Sequence, residues 1–280
     1  MRKIFLCFMV MMMLTACGNN NETSVNPLGG VHSETTVTET SAVTTAVTET
    51  QTTTGSPEKI ARNLKSEMFI DVPYYSQNDY PTGCELVSTS MLLAFHGFDI
   101  KAGEIIEQSY LKAVDIKEKK KNGKTVKYGG DPDKVFIGNP SRNTGYGCHS
   151  GAIILALQRY LKPKEYELDT KYEITDLTGM EIEEICEKYI NREIPVIVWA
   201  SINMKPTFQK LGNSWIIENT GKRYFWKSNE HCLVLTGYDK ENYYFNDPLT
   251  GKNTAYIKRL AERRYSEMGM QAVVVEEINP

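Results

Sequence analysis

The order of periodicities along the chain limits its fold more than any other feature. Segments with apolar residues every three to four positions come first, at 84–96, 102–113, 150–161 and 180–192. Segments rich in β-branched and aromatic residues follow, at 195–201, 214–219, 231–238, 243–247 and 271–277. Alternating strands and helices would build a parallel sheet, whereas helices followed by a run of strands build an α+β domain with helices packed on an antiparallel sheet. The sequence therefore predicts the α+β class. In the segment 180–192, Ile182, Ile185, Cys186, Tyr189 and Ile190 share one helical face, so Cys186 is expected in the core.

That folded region begins only after about residue 57. Met1-Arg2-Lys3 is a short basic start, Ile4 to Leu14 is uninterrupted apolar sequence, and Thr15-Ala16-Cys17 closes it with small residues. The run is too short for a membrane-spanning helix, which needs about 20 residues, and has the layout of a secretory leader. The stretch "LTAC" resembles the bacterial lipobox, in which the cysteine is acylated and becomes the first residue of the mature chain. Residues 1–17 are thus expected to be a lipoprotein signal peptide with Cys17 as the lipidation site. The expected location is extracytoplasmic, with the acyl anchor on Cys17 holding the protein to the bacterial cell membrane. From residue 18 to 57, "ETTVTET", "AVTTAVTET" and "QTTTG" repeat Thr, Glu and Val with few large side chains, a composition that predicts a disordered stalk. Residues 58–280 then form one even segment within the size range of a single domain.

Charge excludes one class of partner. The whole chain carries a formal net charge of −3, and removing Arg2 and Lys3 with the leader makes it more acidic, so no nucleic-acid partner is expected. The one basic cluster, "KEKKKNGKTVK" at 117–127, reads as a solvated loop around the Asn122-Gly123 turn.

Cys84 stands apart from Cys186 by its position. In "YPTGCELVSTSMLLAFHG" it opens a helix whose Leu86, Val87, Met91 and Phe95 mark a buried face and whose Gly97 marks the end. Unpaired N–H groups and the positive end of the helix dipole favour a thiolate there, and a neighbouring imidazolium would favour it further. Of four histidines, His32 falls in the stalk, His96 at the far end of the Cys84 helix, and His149 beside Cys148. His231 opens the apolar run "HCLVLTGYDKENYYFNDP", in which a hairpin closing on 239–242 would bring His231 and Asp247 to the same end of the sheet. Nucleophile, base and orienting carboxylate could then converge.

Four stretches, "VPYYSQ…YPTGCE", "YGGDPDKVFIGNPSRNTGYGC", "PVIVW" and "EHCLVLTGYDKENYYFNDP", resemble in that order the C39-like branch of the papain-like cysteine peptidases, over about residues 68–250. The resemblance implies a papain-like fold in which the cysteine helix packs on the antiparallel sheet. It implies Cys84 as nucleophile, His231 as acid and base, Asp247 as the residue that orients the ring, and Gln77 as an oxyanion donor. It also suggests that the long Gly-, Asp- and Asn-rich segment 128–147 borders the cleft, with Tyr146 and Gly147 near substrate, although that segment reads equally as turn-forming scaffold. The bacteriocin-exporting relatives carry a transporter domain that this sequence does not show, so their double-glycine substrate is not carried over.

The expected function is a cysteine peptidase or amidase that cleaves peptide or amide bonds through a thioester on Cys84. A catalytically silent module that binds a peptide or cell-wall fragment, and an acyltransferase on the same fold, are the alternatives. No cofactor is expected. Cys148-His149 and His231-Cys232 suggest zinc only superficially, because neighbours in a strand point to opposite faces and C-x-x-C spacing is absent. A Cys148–Cys232 disulfide is compatible with an extracytoplasmic location but is not decided by the sequence.

Overall fold

A computed structural model describes residues 62–108, 110–161 and 171–278. The expected signal peptide with Cys17, and the expected stalk, lie outside the described residues. In chain order the elements are β1 (Met68–Phe69), α1 (Cys84–Phe95), α2 (Ala102–Glu107), β2 (Ala113–Val114), β3 (Lys117–Lys121), β4 (Lys124–Gly129), β5 (Phe136–Ile137), α3 (Ser150–Tyr160), β6 (Tyr172–Asp176), α4 (Ile182–Lys188), β7 (Val196–Ser201), β8 (Phe208–Ile217), β9 (Arg223–Ser228), β10 (Glu230–Tyr238), β11 (Asn242–Asp247), β12 (Gly251–Ile257), α5 (Lys258–Glu267) and β13 (Ala272–Glu277). Helices and an antiparallel sheet share one core, as the α+β expectation requires.

The main sheet runs β12-β11-β10-β7-β13-β6, with every neighbouring pair antiparallel and β1 added to the end of β10. Its middle strands β7 and β10 are buried along their whole length, which explains why they read as continuous apolar runs rather than alternating ones. Helix α1 packs on β10 and β7, and α5 on β7 and β12. The α1 interior carries three hydroxyls, and each is satisfied: Thr89 and Ser90 donate to the carbonyls of Glu85 and Leu86 one turn back, while Ser88 donates to the Cys232 carbonyl at 3.1 Å. That last bond ties the cysteine helix to the strand that carries His231. The helix ends at Gly97, whose φ of +83° lies in the left-handed region, so the expected C-cap is present.

A second, four-stranded sheet has the order β3-β4-β8-β9 and closes a small core of Ile137, Trp215, Ile217 and Trp226. This sheet corrects the reading of 117–127 as a loop. Lys117–Lys121 and Lys124–Gly129 pair as a hairpin, with Asn122 and Gly123 both at positive φ as a tight two-residue turn demands. Strand β8 starts at Phe208, earlier than the expected 214, because β9 pairs with it across the turn before Gly221. Helix α2 stops at Glu107 instead of 113, since Ala113–Val114 leaves the helix to pair in parallel with β5. The expected helix 180–192 is α4 followed by a short 3-10 turn at Ile190–Arg192 that ends at Glu193 with φ of +63°. Cys186 is fully buried within it.

Candidate active site

The hairpin of β10 and β11 does what its sequence suggested. Val234 pairs with Asn246 and Leu235 with Phe245, and a bulge between Leu235 and Gly237 adjusts the register toward the turn. Asp239 closes that turn by accepting the N–H groups of Glu241 and Asn242 at 2.7 and 2.6 Å. His231 and Asp247 therefore meet, with Nε2 of the ring 2.7 Å from Oδ1 and both side chains 1% exposed. Burial alone would raise the Asp247 carboxyl, but it also accepts hydrogen bonds from the His231 ring, the Leu249 N–H and the Tyr256 hydroxyl. Together these hold it well below the ordinary carboxylate range. Asp247 occupies Nε2, and no hydrogen bond reaches Nδ1 from the described residues.

Gln77 lies beside this pair: its backbone N–H donates to the carbonyl of Pro248, the residue after Asp247. The side chain is 3% exposed, Nε2 donates to the Pro81 carbonyl at 3.2 Å, and Oε1 is buried without a partner. An amide nitrogen has two protons, so one remains to donate.

Cys84 is the first residue of α1 and 6% exposed. Its sulfur is hydrogen-bonded to Oε2 of Glu85 at 3.5 Å, and no hydrogen bond joins it to His231. Here the structure departs from the expected thiolate. Burial first, and then the neighbouring Glu85 and Glu230 carboxyls, push the Cys84 thiol well above its ordinary value, outweighing the helix end. Glu85 is itself buried, accepts the Cys148 N–H at 2.7 Å, and is pushed up to about 7 by burial. Burial and Glu85 likewise push Glu230 well above the carboxylate range, and its Oε1 has no partner. The sulfur of Cys84 and the carboxylate oxygens of Glu85 and Glu230 lie within 4.8 Å of one another, the one trio among the described residues with atoms close enough to share a cation. The His231-Cys232 dipeptide makes no such group. Cys84, Cys148, Cys186 and Cys232 are all free and buried, so the Cys148–Cys232 disulfide is not formed.

Glu85 and Glu230 were not anticipated. Each is the immediate neighbour of a residue that was, and an acid at a helix start or strand start ordinarily faces water. Their settings, one inside "CELV" and one before "HCLVL", put an acid beside apolar residues without saying which way it faces.

Tyr146 packs its ring edge on Trp215 and Trp226, with centroids 5.2 and 5.7 Å away. Gly147 has φ of +128°, and a Cβ there would stand 2.1 Å from Oε1 of Glu85, so this position makes room for the buried acid. His149 is engaged at both nitrogens, with Asp133 Oδ1 at Nδ1 and the Tyr224 hydroxyl at Nε2, each at 2.9 Å. The ring lies parallel to Trp226. A cavity of about 560 Å³ opens beside it, with Glu230 in its wall.

Comparison with known proteins identifies the family. Residues 69–273 match the Peptidase_C39 like family. The uncharacterized protein YvpB of Bacillus subtilis (strain 168) is 27% identical over 225 residues, covering 78% of this chain and 81% of that protein. A provisionally named C39-like peptidase of Bacillus anthracis, known from its crystal structure, superposes with a TM-score of 0.60 at 26% identity, covering 77% of this chain and all of that one. With a mixed α/antiparallel-β fold and a family match over most of its length, the chain belongs to the C39-like peptidase family.

Proposed function

We propose that the chain is a thiol hydrolase of peptide or amide bonds, displayed outside the cell on an acylated Cys17. The observation that carries this reading is the buried His231–Asp247 pair, which leaves one ring nitrogen free on the strand to which the Cys84 helix is bonded. In the reaction the Cys84 sulfur leaves Glu85 and gives its proton to Nδ1 of His231. The sulfur attacks the carbonyl carbon, while Gln77 Nε2 and the Cys84 N–H, free at the helix start, receive the developing oxyanion. His231 returns the proton to the leaving amine, then takes one from water, which attacks the thioester and frees Cys84. Asp247 keeps the ring in place throughout.

A second reading has its own support. With its thiol buried and bonded to an acid, Cys84 is at rest in a form that does not attack, as a silent binding module would hold it. Intact mass measurement after incubation with an activated N-acyl amino-acid ester separates the two. A hydrolase accumulates one acyl group on Cys84, lost in Cys84→Ala and formed far more slowly in His231→Ala. Absence of any adduct on Cys84 would leave the binding module.

A further inference from the structure

The cavity of about 560 Å³ is within the size range that holds small ligands and single side chains. Three carboxyl residues, Asp133, Asp176 and Glu230, are in its wall, together with the aromatic residues Tyr224, Phe225 and Trp226. Lys227, the basic residue of that wall, directs one ammonium hydrogen to the Glu267 carbonyl, and its single positive charge leaves the three carboxyl residues in excess. His149 is spent on Asp133 and Tyr224. What stays unmatched is Glu230: 8% exposed, with Oε1 buried and without a partner. A buried carboxyl in that condition is unfavourable unless something completes it. Its position gives the cavity a place in the reaction, because a Glu230 carboxylate oxygen lies within 4.8 Å of the Cys84 sulfur.

We propose that this cavity is the subsite for a cationic side chain of the substrate, an ammonium or guanidinium, with Glu230 as its countercharge. The assignment deepens the hydrolase reading and rests on it for the cleavage step alone, since binding needs no turnover. The excess of carboxyl residues over the one ammonium disfavours an anionic ligand, and the unmatched Glu230 disfavours a purely apolar one. The volume and the aromatic walls disfavour a bare metal ion, which would leave most of the space unused, while they suit the methylene stem of a long basic side chain and the cation–π contact of its head. Burial and the neighbouring Glu85 favour the protonated form of Glu230. An arriving cation replaces that proton as countercharge, and the proton leaves to bulk water.

Isothermal titration calorimetry on the full chain in detergent tests this directly, with Nα-acetyl-lysine methylamide, its arginine counterpart and Nα-acetyl-norleucine methylamide as probes. Norleucine keeps the stem and lacks the charge. The lysine or arginine probe is expected to bind at least tenfold more tightly than norleucine, and the stronger of the two names the head group. Glu230→Gln is expected to bring that ratio close to one. Should Glu230→Gln fail to fold, Trp226→Leu is expected to weaken the cationic probe several-fold more than norleucine. Equal binding of charged and uncharged probes by the wild type, or a ratio that Glu230→Gln leaves intact, overturns the proposal. So does tight binding of zinc chloride that depends on Cys84 and Glu230 while no amide binds. Selective binding of the cation without an acyl adduct on Cys84 would keep the subsite and remove the hydrolase reading; an adduct with no charge selectivity would do the reverse.

Discussion

Two histidines in this molecule are each held by an aspartate, and the two pairs differ in ways that assign them different work. His231 and Asp247 meet at 2.7 Å with both side chains 1% exposed; His149 and Asp133 meet at 2.9 Å with the histidine 15% and the aspartate 61% exposed. Asp247 also receives the Leu249 N–H and the Tyr256 hydroxyl, whereas Asp133 sits largely in water, where ion pairs are screened. His149 spends its second nitrogen on Tyr224, and His231 keeps its second nitrogen open. A ring bonded at both nitrogens cannot take a proton from a thiol. The lesson is that a histidine–carboxylate contact alone does not mark a base; the uncommitted nitrogen does.

The largest expected effect on this contrast is catalytic. In the proposed hydrolase, replacing His231 by Ala would remove acid–base catalysis and is expected to lower turnover by about 10²–10⁴; a loss under tenfold in steady-state assays would break the contrast. Next comes stability. Asp247→Ala leaves the His231 ring, the Leu249 N–H and the Tyr256 hydroxyl without their buried acceptor, and breaking such a network costs about 3–5 kcal/mol. Asp133→Ala, at an exposed pair, should cost about 0–1 kcal/mol. Denaturant unfolding of the two variants gives both numbers, and equal losses would contradict the difference in burial.

The pH dependence of stability sharpens the comparison. Asp247 is held below its unfolded value, so its contribution is present above about pH 3.9 and is lost as the pH falls through the lower folded value. Asp247→Asn should flatten that acid limb. Glu85 has the opposite sign. Its carboxyl is pushed up to about 7, so the stability tied to its proton is complete at low pH and is lost as the pH rises toward and through 7. Glu85→Gln still accepts the Cys148 N–H and should melt at a higher temperature than the wild type at pH 8 and at a similar temperature at pH 5. An unchanged difference across that range would show that Glu85 is not protonated in the fold.

How much of this was legible follows from which signals were local. The Cys84 helix was readable because its apolar face and Gly97 lie within one segment, and the His231–Asp247 meeting because a tight turn at 239–242 fixes both strands. Helix α5 gave no stripe: amid its many charged residues only Ala261, Arg264 and Tyr265 are buried, and Arg264 is satisfied by the distant Met204 carbonyl. The strand at Ala113–Val114 depends on pairing with Phe136–Ile137, which no local pattern records. The acids beside Cys84 were hidden for a similar reason, since their burial is set by α1, β10 and the Gly147 loop coming together.

The central claim is that His231, and neither Glu85 nor His149, takes the proton from Cys84. The rate of Cys84 alkylation by iodoacetamide as a function of pH, in the wild type, His231→Ala and Glu85→Gln, tests it most directly. The account predicts a wild-type rate that rises only above about pH 8.5, because the resting thiol is buried beside two acids and gives up its proton only to His231. It predicts that His231→Ala moves this rise upward and that Glu85→Gln preserves it or moves it down, since removing the acid eases thiolate formation. A profile that is indifferent to His231→Ala and shifts upward in Glu85→Gln would contradict the account and make the carboxylate the partner of the thiol.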